Sequence, residues 1–447
     1  MMNTPICDFV KTYAKQNKIR MHMPGHKGSG YLGFEALDIT EVAGADSLYE
    51  AEGIIAQSEQ NASKLFGCYT YYSTEGSSHC IRAMLRLCLQ NAKSNGLGDF
   101  VLAGRNAHKT FISAAALLGF DVQWLYPNED ESYLTCNITA KKVEQTLASM
   151  DKIPAALYIT SPDYLGNVAD IKGIAEVCHK YGTVLAVDNA HGAYLKFLQP
   201  SQHPIDLGAD ICCDSAHKTL PVLTGGAYLH IGKGLQQISN QAKSALALFG
   251  STSPSYLILQ SLDMANKVLS ESYPYQLSLT VDRVNDLKCN LSALGYKLIG
   301  NEPMKITIDA KAYGYSGVAL ARILSQQGIE CEFADDDYLV LMPSVDNKRE
   351  HFDVIKETFE KITKKAPILT CAPLFVKPQQ LMTIREAALS ENIILPLSKC
   401  EGRVLGQPTV SCPPAVPILV SGELIDQSAI KRFEYYGITE LTVVGKP

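Results

Sequence analysis

The chain has no long apolar run. Its longest, such as FISAAALLGF from Phe111, reach about ten residues, against the ~18–20 that a membrane-spanning helix needs. Basic residues are not in surplus either. Lys plus Arg total 40 against 46 Asp plus Glu, a net charge of −6, so neither nucleic acid nor an anionic membrane is indicated as a partner. The cysteines number 13, with no CxxC pair and no Cys/His cluster at zinc spacing, so neither a metal nor a disulfide is expected. Cys212 and Cys213, adjacent in an apolar stretch, read as small core hydrophobes. The N-terminal MMNTPICDFVKTYAKQNK carries charges where a signal peptide has its apolar core, and a cytoplasmic location is expected. What remains is an ordinary globular composition, 46% hydrophobic and 19% charged, over 447 residues, which predicts two or three domains.

From about residue 98 to 231, short apolar runs alternate with helical periodicities. GDFVLAG, FDVQWLY, AALYITS, TVLAVD, ADICCDS and GGAYLHI read as strands, and a helix is predicted from about Thr110 to Gly119. The clearest helix follows Asp170: Ile171, Ile174, Ala175, Cys178 and Tyr181 share one face and Gly182 ends it. A strand–helix–strand unit of this size is a βαβ crossover, so an α/β fold with a mainly parallel sheet is expected. Beyond about Ser270, ITIDAKAYG, ALARILSQQG and IECEFADDDYLVLMP predict a smaller α+β domain, followed by a Pro-rich C-terminal module. The expected division is an N-terminal segment 1–45, a large domain 46–268, a small domain 269–366 and a C-terminal domain 367–447.

Parallel sheets gather ligands at the carboxyl ends of their strands, and polar residues cluster in four such places. TEGSSH (74–79) precedes a helix whose apolar face is Ile81, Met84, Leu85 and Cys88. Gly76 with the hydroxyls of Ser77 and Ser78 reads either as an anion site or as simple helix capping. NAHKT (106–110) leaves His108 and Lys109 after a strand. VDNAHG (187–192) ends a buried strand in Asp188, with His191 close by, and DSAHKT (214–219) groups Ser215, His217 and Lys218. An amine, a buried carboxylate and an anion cup together meet the needs of pyridoxal phosphate, which takes a Schiff-base lysine, an anion at its pyridine nitrogen and a phosphate site. No GxGxxG dinucleotide fingerprint and no GxxxxGK(S/T) Walker loop is read, and HExxH and GxSxG are absent. Ser215 and Lys218 satisfy the SxxK signature of serine acyl-hydrolases, but its SDN and KTG companions are missing.

These residues resemble the group III Orn/Lys/Arg decarboxylases in their short bacterial form, which includes arginine decarboxylases. The resemblance rests on RMHMPGHKGSG (20–30), EGIIAQSEQNASKLFG (52–67), GRNAHKTFISAAALLG (104–119), SPDYLGNVADI (161–171), VDNAHGAY (187–194), DSAHKTLPVLTGGAYLH (214–230), STSPSYLILQSLD (251–263) and CPPAVPILVSGE (412–423). It implies the aspartate-aminotransferase-like fold (fold type I), pyridoxal 5'-phosphate as cofactor and decarboxylation of a basic amino acid in polyamine biosynthesis, with arginine first and lysine or ornithine next. Lys218 would be the Schiff-base lysine, Asp188 the partner of the ring nitrogen and His108 the residue stacked on the ring. Gly76, Ser77, Ser78, Ser215 and His217 would hold the phosphate and His191 would line the pocket. The resemblance further implies a homodimer, or an assembly of dimers, in which the loop at Thr252, Ser253 and Ser255 completes the partner's phosphate site. Another fold-type-I reaction, transamination or lysis, and a silent regulator share these features. The chain departs from the family in Glu75-Gly76-Ser77-Ser78, where an NGST-like turn is common, and in Ser411-Cys412-Pro413-Pro414-Ala415, where a PYPPG-like stretch is usual. Asp335, Asp336 and Asp337 read as a solvated turn between two strands, the alternative being an anchor for a cationic substrate tail.

Overall fold

The apolar runs VLAVD, ICCD and AYLHI become strands buried on both faces, as central strands of a helix-covered sheet must be. A computed structural model describes residues 2–408 and 414–445; Ser411, Cys412 and Pro413 lie outside the described residues. The large sheet contains β1 (Tyr69–Ser73), β2 (Phe100–Gly104), β3 (Asp121–Leu125), β4 (Ala156–Thr160), β5 (Val184–Asp188), β6 (Ile211–Asp214) and β7 (Ala227–Ile231) in the order β1-β7-β6-β5-β4-β2-β3. Every residue of β5, β6 and β7 is buried. β3 alternates in exposure, as an edge strand does. β2/β3 and β5/β6 pair in parallel, whereas β7 is antiparallel to both β6 and β1. The sheet is therefore mostly parallel with an antiparallel margin.

The chain packs into two compact units. The first comprises Met1–Gly98, Asp151–Leu157 and Ile171–Gln276. It holds the helices α1 (Gly76–Asn95), α3 (Ile171–Tyr181), α4 (Ala216–Thr219) and α5 (Tyr256–Glu271), while α2 (Lys109–Leu118) belongs to the second. α3 buries Ile171, Ile174, Ala175 and Cys178 of the predicted face and leaves Tyr181 half-buried, and the chain leaves it through Gly182 at φ +73°. Gly28, Gly30 and Gly33 do have the G-x-G-x-x-G spacing, which corrects the reading that no such spacing occurs. Among the described residues no strand precedes them, and a three-residue 3-10 turn, Glu35–Leu37, follows directly in place of a helix, so the strand–turn–helix context of a dinucleotide site is missing.

The second unit comprises Asp99–Met150, Tyr158–Asp170 and Leu277–Pro447. It contains a four-stranded antiparallel sheet, order β10-β11-β9-β8, from β8 (Lys297–Ile299), β9 (Ile306–Asp309), β10 (Phe333–Ala334) and β11 (Tyr338–Leu341). A three-stranded sheet follows, order β12-β14-β13, from β12 (Asn392–Pro396), β13 (Leu405–Gln407) and β14 (Glu440–Val444). Asp335–Asp337 is the turn between β10 and β11, as expected, but it is not simply solvated. The Asp335 carboxylate accepts the N–H groups of Asp337 and Tyr338 at 2.8 and 2.7 Å. Asp337 pairs with Lys311 at 2.9 Å and takes the Tyr435 hydroxyl, so it is already neutralised within the unit.

Arg105, directly after β2, and Glu423 form a buried ion pair at 2.9 Å, with side-chain exposures of 4% and 1%. The guanidinium also donates to the carbonyls of Pro417 and Ile418 and lies over the Trp124 ring, and the Glu423 carboxylate accepts the Val420 N–H at 2.7 Å. Glu423→Ala should leave an uncompensated buried cation and cost about 3–5 kcal/mol, measured by denaturant unfolding, with Glu423→Gln costing less.

Candidate active site

Adjacent parallel strands end in the expected residues. Asp188, the last residue of β5, stands in register with Cys213 of β6 and is 2% exposed. Its Oδ1 accepts the Ala190 N–H at 3.2 Å and the Cys213 thiol at 3.7 Å, partners that a buried anion needs. β6 runs through Ser215 into α4, where the Lys218 N–H donates to the Ser215 carbonyl at 2.9 Å. The Lys218 side chain is exposed, and its Nζ lies 2.9 Å from Nε2 of the buried His191. His217 donates from Nδ1 to the Gly226 carbonyl at 3.1 Å, with the Ser215 hydroxyl 3.4 Å away. Burial, opposed by that carbonyl and assisted by Lys218, holds the His217 imidazole below its usual pKa.

β1 leads into the turn that starts α1. Gly76 has φ +74°, and a Cβ there would meet nothing within 4 Å, so the space beside it is open. Its N–H donates to the Gly225 carbonyl at 2.7 Å. Gly225 permits this approach because it has φ +99° and no Cβ, which would fall 2.8 Å from the Thr74 carbonyl oxygen. Ser77 and Ser78 occupy the first turn of α1, a 20-residue helix without a side-chain cap, whose N-terminal dipole favours an anion. The Glu75 carboxylate accepts the Ser251 N–H at 2.6 Å and is thereby engaged with the 251–255 loop. In that loop Ser251, Thr252 and Ser253 are exposed, and Ser255 caps α5 through Ile258.

His108 belongs to the second unit. It is the half-buried N-cap of α2, where its Nδ1 accepts the Thr110 N–H at 3.1 Å. Sequence reasoning passed over Asp214, Asn189, His203 and His230, which are fully buried in the first unit and hydrogen-bonded together. The ring nitrogens of His203 and His230 and a carboxylate oxygen of Asp214 lie within 4.8 Å of one another, a proximity no sequence spacing announces. The available signal was a charged residue ending the fully apolar strand ICC.

The profile of the family described as "Orn/Lys/Arg decarboxylase, major domain" matches residues 4–299, two thirds of the chain and every residue discussed above in the first unit. The chain belongs to the Orn/Lys/Arg decarboxylase family. This decarboxylase is 29% identical to the uncharacterized protein YaaO of Bacillus subtilis over 96% of this chain and 94% of that protein. It is 27% identical to the arginine decarboxylase of Halalkalibacterium halodurans over 95% of this chain and 91% of that protein. Among solved structures it is similar to lysine decarboxylase A from Pseudomonas aeruginosa, with a TM-score of 0.80 and 16% identity, covering 99% of this chain and 80% of that one. At that identity the likeness establishes the fold, which is the α/β architecture expected from the resemblance.

The decarboxylase thus has, in its first unit, an amine beside an imidazole, a buried carboxylate one strand away, and a helix start with open space at a glycine. This donor set suits a ligand with a carbonyl, a basic ring nitrogen and a phosphate. Beneath it, His79 of α1 is buried between the Ser73 hydroxyl at 2.8 Å and the Leu246 carbonyl at 2.7 Å. Burial lowers its pKa despite the carbonyl and Glu75, which act in the opposite direction. The folded imidazole therefore stays neutral where the unfolded one takes up a proton, and its contribution to stability is present above the ordinary histidine range and lost as pH falls. His79→Gln should accordingly cost more stability at pH 7.5 than at pH 5.5, as read from urea unfolding of parent and variant at each pH.

Proposed function

We propose that this decarboxylase is a pyridoxal 5'-phosphate enzyme that converts a basic amino acid, arginine first and lysine or ornithine next, to its amine and CO2. The observation that carries the reading is the family match over the residues that would hold the cofactor. The order of substrates follows the relatives named arginine decarboxylase, which align over nearly the whole chain. Pyridoxal phosphate, when bound, supplies an electron sink for the carbon that loses CO2.

The chain's own residues have separable tasks. Lys218 would bind the aldehyde carbon through Nζ, and His191 Nε2, 2.9 Å away, can accept a proton from that amine. Asp188 would hold a proton at the ring nitrogen, because a buried anion favours the charged form of its partner. The N–H groups at the start of α1, with Gly76, Ser77, Ser78, Ser215 and His217, would bind the phosphate, and His108 would lie on the ring face. Incubation with arginine, lysine and ornithine separately should yield agmatine, cadaverine or putrescine with CO2, identified by mass spectrometry. Lys218→Ala should abolish turnover, and borohydride should trap the cofactor on Lys218. A 2-oxo acid product, or trapping at another lysine, would refute the reading.

A homodimer with shared sites, or an assembly of such dimers, belongs to the same proposal. It is supported by an apolar stretch of the first unit that one chain leaves open: Met21 is 89%, Tyr31 84% and Leu32 75% exposed. The second support is the exposed hydroxyl loop at Thr252 and Ser253. A Lys218→Ala protomer mixed with a Thr252→Ala/Ser253→Ala protomer places both lesions in one pocket and leaves the other intact. Verified heterodimers should regain about half of the parent's activity per dimer. Sedimentation showing an active monomer, or heterodimers without activity, would exclude shared sites.

A further inference from the structure

A fully buried polar cluster of the first unit, next in sequence to Asp188 and Ser215, has no role in the reading above. Asp214, last residue of β6, has no exposed surface. No Lys or Arg pairs with it among the described residues. Instead three nitrogen donors converge on its two oxygens. Nε2 of His203 and Nε2 of His230 each lie 3.1 Å from Oδ2, and the Asn189 amide donates to Oδ1 at 2.6 Å. The tautomers agree with hydrogen bonding: the Ile205 N–H points at Nδ1 of His203, which leaves the ring proton on Nε2, facing Asp214. Nδ1 of His230 meets the Thr70 hydroxyl at 3.0 Å. Burial opposes ionisation of Asp214, yet the two imidazoles hold its carboxyl well below the usual range, so the group is an anion in the core. An acceptor-only side chain is what three converging donors require.

The cluster also has a direction. Asn189 directly follows Asp188 and returns its own N–H to the Cys213 carbonyl at 3.0 Å, while Asp214 directly precedes Ser215, whose carbonyl holds the Lys218 N–H. We propose that Asp214 is a positioning residue whose carboxylate, through Asn189 on one side and Ser215 on the other, sets the placement of Asp188 relative to Lys218. This inference rests on the cofactor roles given above to those two residues.

Asp214→Asn keeps the size but turns an amide N–H2 toward at least one of the donors. Per cofactor-loaded site, the variant should lose at least about tenfold in kcat with KM within about threefold of the parent's, the pattern of a lost arrangement rather than lost substrate binding. The visible absorption of bound pyridoxal phosphate should shift, and its dissociation constant from the protein should rise. Asn189→Ala removes only the link to the 188–190 turn and should show the same pattern at smaller amplitude, which keeps the test decisive if Asp214→Asn fails to fold. His230→Gln, which retains a donor at the Nε2 position, should recover most of the activity that His230→Leu loses. A kcat within about twofold of the parent's in Asn189→Ala and in every folded Asp214 variant, with unchanged absorption and only the melting temperature lowered, would overturn the inference. So would a stoichiometric metal ion in the purified protein, since the cluster would then be a metal site. Trapping at a lysine other than Lys218 would remove the cofactor reading and this inference together. Trapping at Lys218 with unchanged variants would remove this inference alone.

Discussion

The parallel pairing of β5 with β6 is the contact on which the rest of the candidate site depends. Its register sets Asp188 opposite Cys213, so the two strands release their chains at the same level and on the same edge of the sheet. From there β5 continues into the turn carrying Asn189 and His191, and β6 into Ser215 and the short helix with Lys218. A slip of one residue would turn Asp188 to the other face of the sheet and separate the carboxylate from the amine's neighbourhood. Both strands are buried throughout, which makes such a slip costly.

The anion end of the site is held by a different device, the antiparallel margin of the sheet. β1 pairs with β7 from Tyr69↔Ile231 to Ser73↔Ala227, and this brings the turn before α1 against the turn before β7. Gly76 and Gly225 meet there through one backbone hydrogen bond, and both have positive φ. A side chain at Gly225 would strike the Thr74 carbonyl oxygen, so the close approach that leaves the start of α1 open depends on that glycine. The departure at Glu75 is absorbed by the same region, because its carboxylate is taken by the backbone of Ser251.

Buried charge is handled in contrasting ways in the two units. Arg105 and Glu423 neutralise each other and stitch β2 to the segment at 417–423 within the second unit. Asp214 pairs with no Lys or Arg among the described residues and is held by imidazole and amide donors. A cation beside Asp214 would pull on the carboxylate with a long, flexible side chain, whereas rigid rings on β7 and on the 199–208 connection fix its orientation.

Much of this was legible in the residues themselves. Strands β2 to β7 announced themselves as apolar runs, most plainly β5, β6 and β7, which are buried throughout and need no polar face, and α3 did so through its 3.6-residue period and closing glycine. Lys218, Asp188, His191, Ser77 and Ser78 stood out because charged or hydroxyl groups at the ends of such runs are unusual. The burial of Asp214 with His203 and His230 was not legible, since the three come from segments 11 and 16 residues apart that only the folding of β6 against β7 brings together. The partnering of Asp337 with Lys311 and Tyr435, 26 and 98 positions away, was hidden for the same reason. Local periodicity and end-of-strand chemistry, which depend on near neighbours, were determined by the sequence alone. Which buried group meets which was decided by tertiary structure, because hydrogen bonds in a closed core depend on distances that chain spacing does not encode.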